Sequence, residues 1–214
     1  MNYGELKTAT MQLVFSESIA GDPIQNSYNC QADYVRQIPA LANDCMIYIA
    51  TTVKRIPEIV LLESLNKEDF GTHWMYTMPD DFWRMNNGGL IWKRQDGYDN
   101  FTFERFHNYR IYAENKLMIA KTSPHLDEMM VEYYRYPHRL SANPADTDEL
   151  DNTQDVQTIM PYYIAAQLVM YDDAFRYASL WNAFETRLSR VSEPITTEYA
   201  PMEDAYGGFY IPGV

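Results

Sequence analysis

The hydrophobic positions are most regular between residues 155 and 191, where they predict two helices that fold back on each other. The first helix carries an apolar residue at every fourth position, with tyrosines beside this face: Val156, Met160, Ile164 and Leu168, with Tyr163 and Tyr171. The second repeats at intervals of four and three residues: Tyr177, Trp181, Phe184, Leu188 and Val191. Because each helix has one apolar face and their connection is short and polar, the pattern predicts an antiparallel pair.

The start of the first helix of this pair depends on Pro161. Proline fits the first turn of a helix, which makes Thr158 a candidate N-cap residue. A helix that begins at Asp155 is instead kinked by the same proline. The sequence leaves both alternatives open.

Two further helices are predicted near the N-terminus. Residues 5–15 form a short amphipathic helix whose spaced positions are Leu6, Thr10, Leu13 and Val14. Residues 32–53 form a longer one, with a face built from Tyr34, Ile38, Leu41, Cys45, Tyr48 and Thr52. Pro39 lies inside this second pattern, so we expect it to kink or restart the helix.

The chain between these helices has the alternation and the turn signals of antiparallel β structure. Residues 58–65 predict a first strand rich in Ile, Val and Leu. Further short strands are predicted at residues 73–78, 89–94, 101–107, 109–113, 117–120 and 129–136. Turn signals separate them: Pro79-Asp80-Asp81, Asn87-Gly88-Gly89, Asp96-Gly97 and Glu114-Asn115-Lys116. No connection is long enough for a helical crossover, so we expect antiparallel hairpins.

These elements predict an α+β protein: an antiparallel helical bundle with an inserted antiparallel β region and an extended C-terminal tail. The predicted boundaries are 1–55 for the N-terminal helices, 56–140 for the β insertion, 141–192 for an acidic linker with the C-terminal helical pair, and 193–214 for a docking tail. The bundle core is predicted to contain Tyr34, Ile38, Leu41, Ile164, Leu168, Trp181, Phe184 and Leu188.

Composition and charge narrow the classes of function. A chain of 214 residues with 46% hydrophobic content can bury a substantial core. The net charge is −13, and from Ser141 onward twelve acidic residues face only three arginines. Sequence-specific nucleic-acid binding needs a basic face, so this charge distribution argues against it. We also expect no secretion signal, no membrane anchor and no membrane partner.

The two cysteines predict free thiols. Along one helix, a rise of about 1.5 Å per residue separates Cys30 and Cys45 by about 22 Å, too far for a disulfide. We expect both to be mostly buried in a protein made in a reducing compartment.

The candidate catalytic and metal-binding motifs have simpler interpretations. His73, His107, His125 and His138 lack zinc-site spacing. The acidic run at residues 146–151 has Leu150 and Asp151 where a calcium loop needs an oxygen ligand and a glycine, so it predicts a solvated linker. The carboxylate pairs are better explained as turn and cap residues than as an acid and a base: Asp80-Asp81 and Asp172-Asp173. We therefore expect no enzyme activity, no metal and no cofactor.

Eighteen tyrosines and four tryptophans are many for one chain. They suit strand packing and subunit contacts. The alternative is a carbohydrate-binding or hydrolytic module that uses Trp74, Trp83 and Trp92 as stacking platforms.

Four stretches, in their order along the chain, resemble the head-to-tail connector (adaptor) proteins of tailed bacteriophages: residues 31–41 (QADYVRQIPAL), 78–82 (MPDDF), 133–137 (YYRYP) and 159–166 (IMPYYIAA). The resemblance covers most of the chain and includes the C-terminal helical pair. It implies a helical bundle with a β insertion, and it brings no catalytic residues.

The resemblance also implies partners and a location. Proteins of this family form a ring, usually of twelve copies, beneath the portal and extend the DNA channel towards the tail. We therefore expect a homo-oligomeric ring that contacts the portal protein and a downstream neck or tail protein. An acidic ring lets DNA pass without sequence-specific binding. The expected location is the head-tail interface of the virion, after synthesis in the bacterial cytoplasm.

The tail from residue 193 to 214 is apolar, yet its prolines and glycines prevent a long helix. Such a segment is expected to order on a neighbour. Part of it is similar to the segment with which connector proteins grip the portal: Tyr206, Gly207, Gly208, Phe209, Tyr210 and Ile211.

Overall fold

A computed structural model describes residues 1–15, 28–95, 101–113, 115–123 and 126–191. The described residues contain four helices and two antiparallel sheets, which confirms the α+β class. The helices are α1 (Tyr3–Phe15), α2 (Tyr28–Thr52), α3 (Gln154–Val169) and α4 (Ala174–Val191). The strands are β1 (Ile56–Leu61), β2 (Lys67–Phe70), β3 (His73–Thr77), β4 (Phe82–Gln95), β5 (Phe101–Phe106), β6 (Tyr109–Tyr112), β7 (Lys116–Ala120) and β8 (Met129–Arg135).

Helix α3 is the centre of the helical part, because it contacts α1, α2 and α4. Most of its apolar residues are buried, which is typical of a helix surrounded by others. The four helices share one hydrophobic cluster, with Leu6 from α1, Ile38 from α2, Ile164 from α3 and Phe184 from α4, all fully buried. This cluster therefore holds α1 and α2, which precede the β region, against α3 and α4, which follow it.

The structure decides between the alternatives for the two prolines. Helix α2 continues through Pro39, so a restart at this residue is wrong. Helix α3 begins at Gln154 after Thr153, which places Pro161 in its interior and excludes Thr158 as the N-cap. The early start has a physical reason: the buried Gln157 side chain donates to the carbonyls of Leu150 and Asn152 and so binds the preceding loop to the first turn.

The acidic segment before α3 is mostly exposed, and it also contacts the start of α1. Its backbone carbonyls at Asp146 and Asp148 accept hydrogen bonds from Gly4 and Tyr3 at the start of α1. Leu150 is buried in the helical cluster. The segment therefore connects the β region to α3 by packing along the N-terminus of the chain.

The inserted β region forms two four-stranded antiparallel sheets, ordered β1-β8-β4-β5 and β2-β3-β7-β6. One hydrophobic cluster joins them, with Leu90 and Val131 from the first sheet and Tyr76, Leu117 and Ile119 from the second. The antiparallel prediction is confirmed for every strand pair of the two sheets. Only some pairs are sequence neighbours, however, because β1 pairs with β8 and β3 with β7.

Two local predictions in the β region are wrong, and one strand has no counterpart among the predicted strands. The first strand ends at Leu61, since Leu62 turns inward as a buried residue of a short 3-10 helix. The strand without a counterpart is β2, whose residues Lys67, Glu68, Asp69 and Phe70 are all exposed and show no hydrophobic alternation. Strand β4 runs through Asn87-Gly88-Gly89 without a turn, and its pairing with β8 shifts between Met85 and Leu90. Gly89 accommodates this irregularity with φ of +63°.

Candidate interaction surfaces

The residues predicted for the helical core lie in or against the helical cluster. Ile38, Ile164, Leu168 and Phe184 are buried. Four others are partly buried and pack against the cluster: Tyr34, Leu41, Trp181 and Leu188. The predicted tail residues Tyr206, Gly207, Gly208, Phe209, Tyr210 and Ile211 lie outside the described residues.

The turn between α3 and α4 presents two aromatic side chains to solvent. We call residues 171–175 the hairpin tip. Tyr171 is 90% exposed and Phe175 is 86% exposed. Tyr171 was expected beside the buried face of α3. This expectation is wrong because α3 ends at Val169, so Tyr171 lies in the turn beyond the helix and does not continue its buried face. Nothing in the described fold needs these two side chains for packing.

Hydrogen bonds hold the hairpin tip in place. Asp173 accepts from the backbone N–H of Arg176 at 2.9 Å, which confirms the capping role predicted for it. The Tyr34 hydroxyl donates to Asp172 at 2.6 Å, and Arg176 donates to the carbonyl of Leu13 at 2.8 Å. The tip is thus fixed to both α1 and α2. Its aromatic side chains stand on a rigid base, which lowers the entropy lost when a partner binds them.

A shallow groove of about 330 Å³ lies on the outward face of α4. Its described lining consists of Asn182, Ala183, Thr186, Arg187 and Arg190. The Arg187 guanidinium lies 4.2 Å from the ring centroid of Tyr162 on α3, which fixes its position. We call this surface the α4 groove. It brings two arginines together in the part of the chain that is otherwise most acidic.

The first sheet also carries apolar side chains on its outward face. Cross-strand pairing places Leu61 of β1 beside Met130 of β8, and Met130 beside Ile91 of β4. Leu61 is 47% exposed, and Ile59, two residues earlier on the same face, is 54% exposed. Strand β1 is at the edge of this sheet, where its Pro57 is tolerated. The face is a second candidate for contact with another molecule.

The β region meets the helices at a polar junction centred on Arg135 and Asp151. Arg135 at the end of β8 donates to Asp151 through Nη2 at 2.8 Å and to Glu58 of β1 through Nε at 3.3 Å. Burial opposes the ionisation of Asp151, but hydrogen bonds from Arg135 and His138 outweigh it and lower its pKa to about 2. The same Asp151 raises the pKa of Arg135. This is a structural ion pair that links two parts of the chain.

The junction contains further contacts between segments distant in sequence. The Asn43 side chain exchanges two hydrogen bonds with the backbone of Leu140, at 3.0 and 2.8 Å. Lys54, just after α2, donates to Asp155 of α3 at 2.7 Å. Burial raises the pKa of Asp155, yet the hydrogen bond from Lys54 and its other donors bring it down to about 2. The chain therefore leaves the helices and returns to them at neighbouring points.

Trp74 and Trp83, two of the three tryptophans proposed as sugar platforms, lie in different sheets. Trp74 is in β3 of the second sheet, and the ammonium groups of Lys67 and Lys121 lie 5.0 and 4.5 Å from its ring centroid. Trp83 is in β4 of the first sheet, beside the rings of Tyr134 and Tyr136. Trp92 is also in β4.

The titratable residues form no metal-binding cluster within the described ranges. No group of three or more His, Cys, Asp or Glu side chains there is arranged to hold a metal ion. Asp81 lies in a turn and accepts from the Tyr133 hydroxyl at 3.1 Å. Cys45 is a buried free thiol whose pKa is raised by desolvation. Of the helices described, none combines the length and apolar character that crossing a membrane requires.

Comparison with known proteins assigns no family. No protein-family model matches the chain, and no curated protein sequence matches it significantly.

Proposed function

We propose that this chain is a structural virion protein, a head-to-tail connector that forms a ring of about twelve copies beneath the portal of a tailed bacteriophage. In this role it joins the head to a neck or tail protein and extends the DNA channel. It performs no catalysis and needs no cofactor. Its location is the head-tail interface, and it is made in the host cytoplasm.

The observation that carries the proposal is the hairpin tip. Two aromatic residues that are 90% and 86% exposed, on a turn held by three hydrogen bonds, have the character of a preformed protein-protein contact. A catalytic protein needs converging polar groups in a cleft, whereas an assembling subunit needs rigid apolar groups on its outside. The described part of the chain carries exposed aromatic groups on a fixed turn, which supports the role of an assembling subunit.

The order of the elements is a second support. Two helices precede the β insertion and two follow it, and the four helices meet around one hydrophobic cluster. We infer that the four helices form an antiparallel bundle, which is the arrangement that the resemblance implies. The polar junction at Arg135 and Asp151 then positions the β insertion relative to that bundle.

The charge distribution agrees with a channel. A net charge of −13 repels the DNA backbone, so a ring of such subunits lets DNA slide without retaining it. The C-terminal tail, with its aromatic residues from Tyr206 to Ile211, supplies the contact with the portal in this proposal.

Electron microscopy of the purified protein and of phage particles tests the proposal. We expect rings of the isolated protein or of its complex with portal-bearing heads, and density for this chain directly below the portal vertex. A chain that is absent from particles and binds oligosaccharides as a stable monomer would instead show the carbohydrate-binding alternative to be right.

A further inference from the structure

We propose that the hairpin tip of one subunit docks on the α4 groove of a second copy of this chain. The inference rests on the proposed ring and identifies the contact that joins neighbouring subunits.

The hairpin tip combines aromatic and negative groups. Tyr171 and Phe175 are the two most exposed large hydrophobic residues of the described chain. Asp172 and Asp173 lie between them and are exposed carboxylates. A complementary surface must therefore offer cations that can stack on aromatic rings and bind carboxylates.

The α4 groove has that composition. Arg187 and Arg190 are exposed, and neither forms a salt bridge with another described residue. A guanidinium stacks on an aromatic ring and donates to a carboxylate with the same planar group, so one arginine can satisfy both parts of the tip. The small side chains of Ala183 and Thr186 leave room between the arginines for a ring.

The positions of the two surfaces decide the kind of contact. Phe175 is in the first turn of α4 and Arg190 in the last, so a rise of about 1.5 Å per residue separates them by about 22 Å. One subunit cannot fill its own groove with its own tip. A contact between two different surfaces is heterologous, and repetition of such a contact produces a closed ring when the rotation permits closure.

Disulfide trapping in the full-length chain tests the contact. The variant carries Ala174→Cys, at an exposed position of the tip that leaves both aromatic side chains in place, and Ala183→Cys, with Cys30→Ser to remove a competing thiol and the buried Cys45 retained. The two introduced cysteines are about 14 Å apart along one helix, beyond the reach of an intramolecular disulfide. Mild oxidation is expected to give a ladder of disulfide-linked oligomers on a denaturing gel.

Matched single variants identify the surfaces. Ala174→Cys alone and Ala183→Cys alone should remain monomeric on the gel, and so should Ala183→Cys combined with Tyr112→Cys, an exposed position on β6. A dimer from Ala174→Cys alone shows a tip-to-tip contact and overturns the inference. A double variant that stays monomeric overturns it as well.

Charge exchange provides a readout without cysteines. Arg190→Glu should weaken self-association by about tenfold in sedimentation velocity, because it places like charges against Asp172. Asp172→Arg in the same chain should restore the association, whereas failure of this rescue contradicts the contact. Rings below the portal in the absence of any tip-groove cross-link would leave the connector role standing and reject only this interface.

Discussion

Arg135 and Asp151 form a bidentate ion pair that connects the last strand of the β region to the loop before α3. The guanidinium is largely enclosed, with 11% of its side chain exposed, and the carboxylate is 25% exposed. The backbone N–H of His138 donates a third hydrogen bond to the same carboxylate at 2.6 Å. A pair with this burial stabilises the fold only while both partners are charged.

Asp151→Asn is expected to lower the free energy of unfolding by about 2 kcal/mol at neutral pH. A group whose pKa falls on folding stabilises the protein above its ordinary pKa of about 4, and this contribution is lost as the pH falls towards 2. Urea denaturation at several pH values measures both effects. The wild-type protein should lose stability between pH 4 and 2 more steeply than the variant.

Asp146→Asn is the matched control for this experiment. Asp146 also forms a salt bridge, with Lys7, but its side chain is 65% exposed. Exposed pairs contribute only about 0–1 kcal/mol, so the control should unfold almost like the wild type. Equal effects at the two positions would show that the Arg135 pair has no special role.

Gly89→Ala is expected to destabilise the β region through two separate effects. The residue has φ of +63°, where a Cβ costs about 1–2 kcal/mol. The added Cβ would also lie 2.1 Å from the Tyr109 hydroxyl oxygen, which adds an overpacking cost of about 1–3 kcal/mol. Thermal unfolding monitored by circular dichroism measures the sum.

Gly71→Ala separates the two contributions. Gly71 has nearly the same φ, +64°, and open space around the position of a Cβ. It should therefore show only the backbone cost. Adding Tyr109→Ala to Gly89→Ala should cost less than the two single changes together, and strict additivity of the two would argue against the close approach.

Phe184→Ala is expected to cost about 3–5 kcal/mol, because the ring is fully buried among the four helices. Trp181, which the sequence predicted as an equal anchor, is only partly buried, and its Nε1 donates to Glu185 at 2.9 Å. Trp181→Ala should thus cost less, about 1–2 kcal/mol. Tyr171→Ala at the exposed tip should change stability by less than about 0.5 kcal/mol in the same urea titration.

Removal of residues 193–214 is expected to leave the melting temperature of the isolated protein nearly unchanged. The deletion leaves every described residue of the helical cluster in place, so we expect the bundle to keep its core. Attachment to portal-bearing heads, followed by co-sedimentation, should be lost because the proposed anchors Phe209 and Tyr210 are gone. A large fall in melting temperature with attachment preserved would show that the tail packs on its own subunit.

The sequence by itself determined the type and position of most elements. The helical spacing of Ile164, Phe184 and their neighbours and the alternation in the β strands are local signals, because side-chain direction repeats with the backbone. The charge of the chain and the capping role of Asp173 were equally local. These features depend on residues a few positions apart, which a single sequence displays.

Only the tertiary structure decided how distant segments meet. The division into two sheets depends on the pairing of β1 with β8 and β3 with β7, and the exposed strand β2 carries no hydrophobic pattern of its own. Tyr171 and Phe175 are both aromatic, and their sequence alone does not show that they are exposed. Their exposure depends on the end of α3 at Val169 and on which elements pack beside the turn. Local periodicity fixes which way a side chain points along its own element. Whether another element covers that side chain is a property of long-range packing, and this packing leaves Tyr171 and Phe175 exposed.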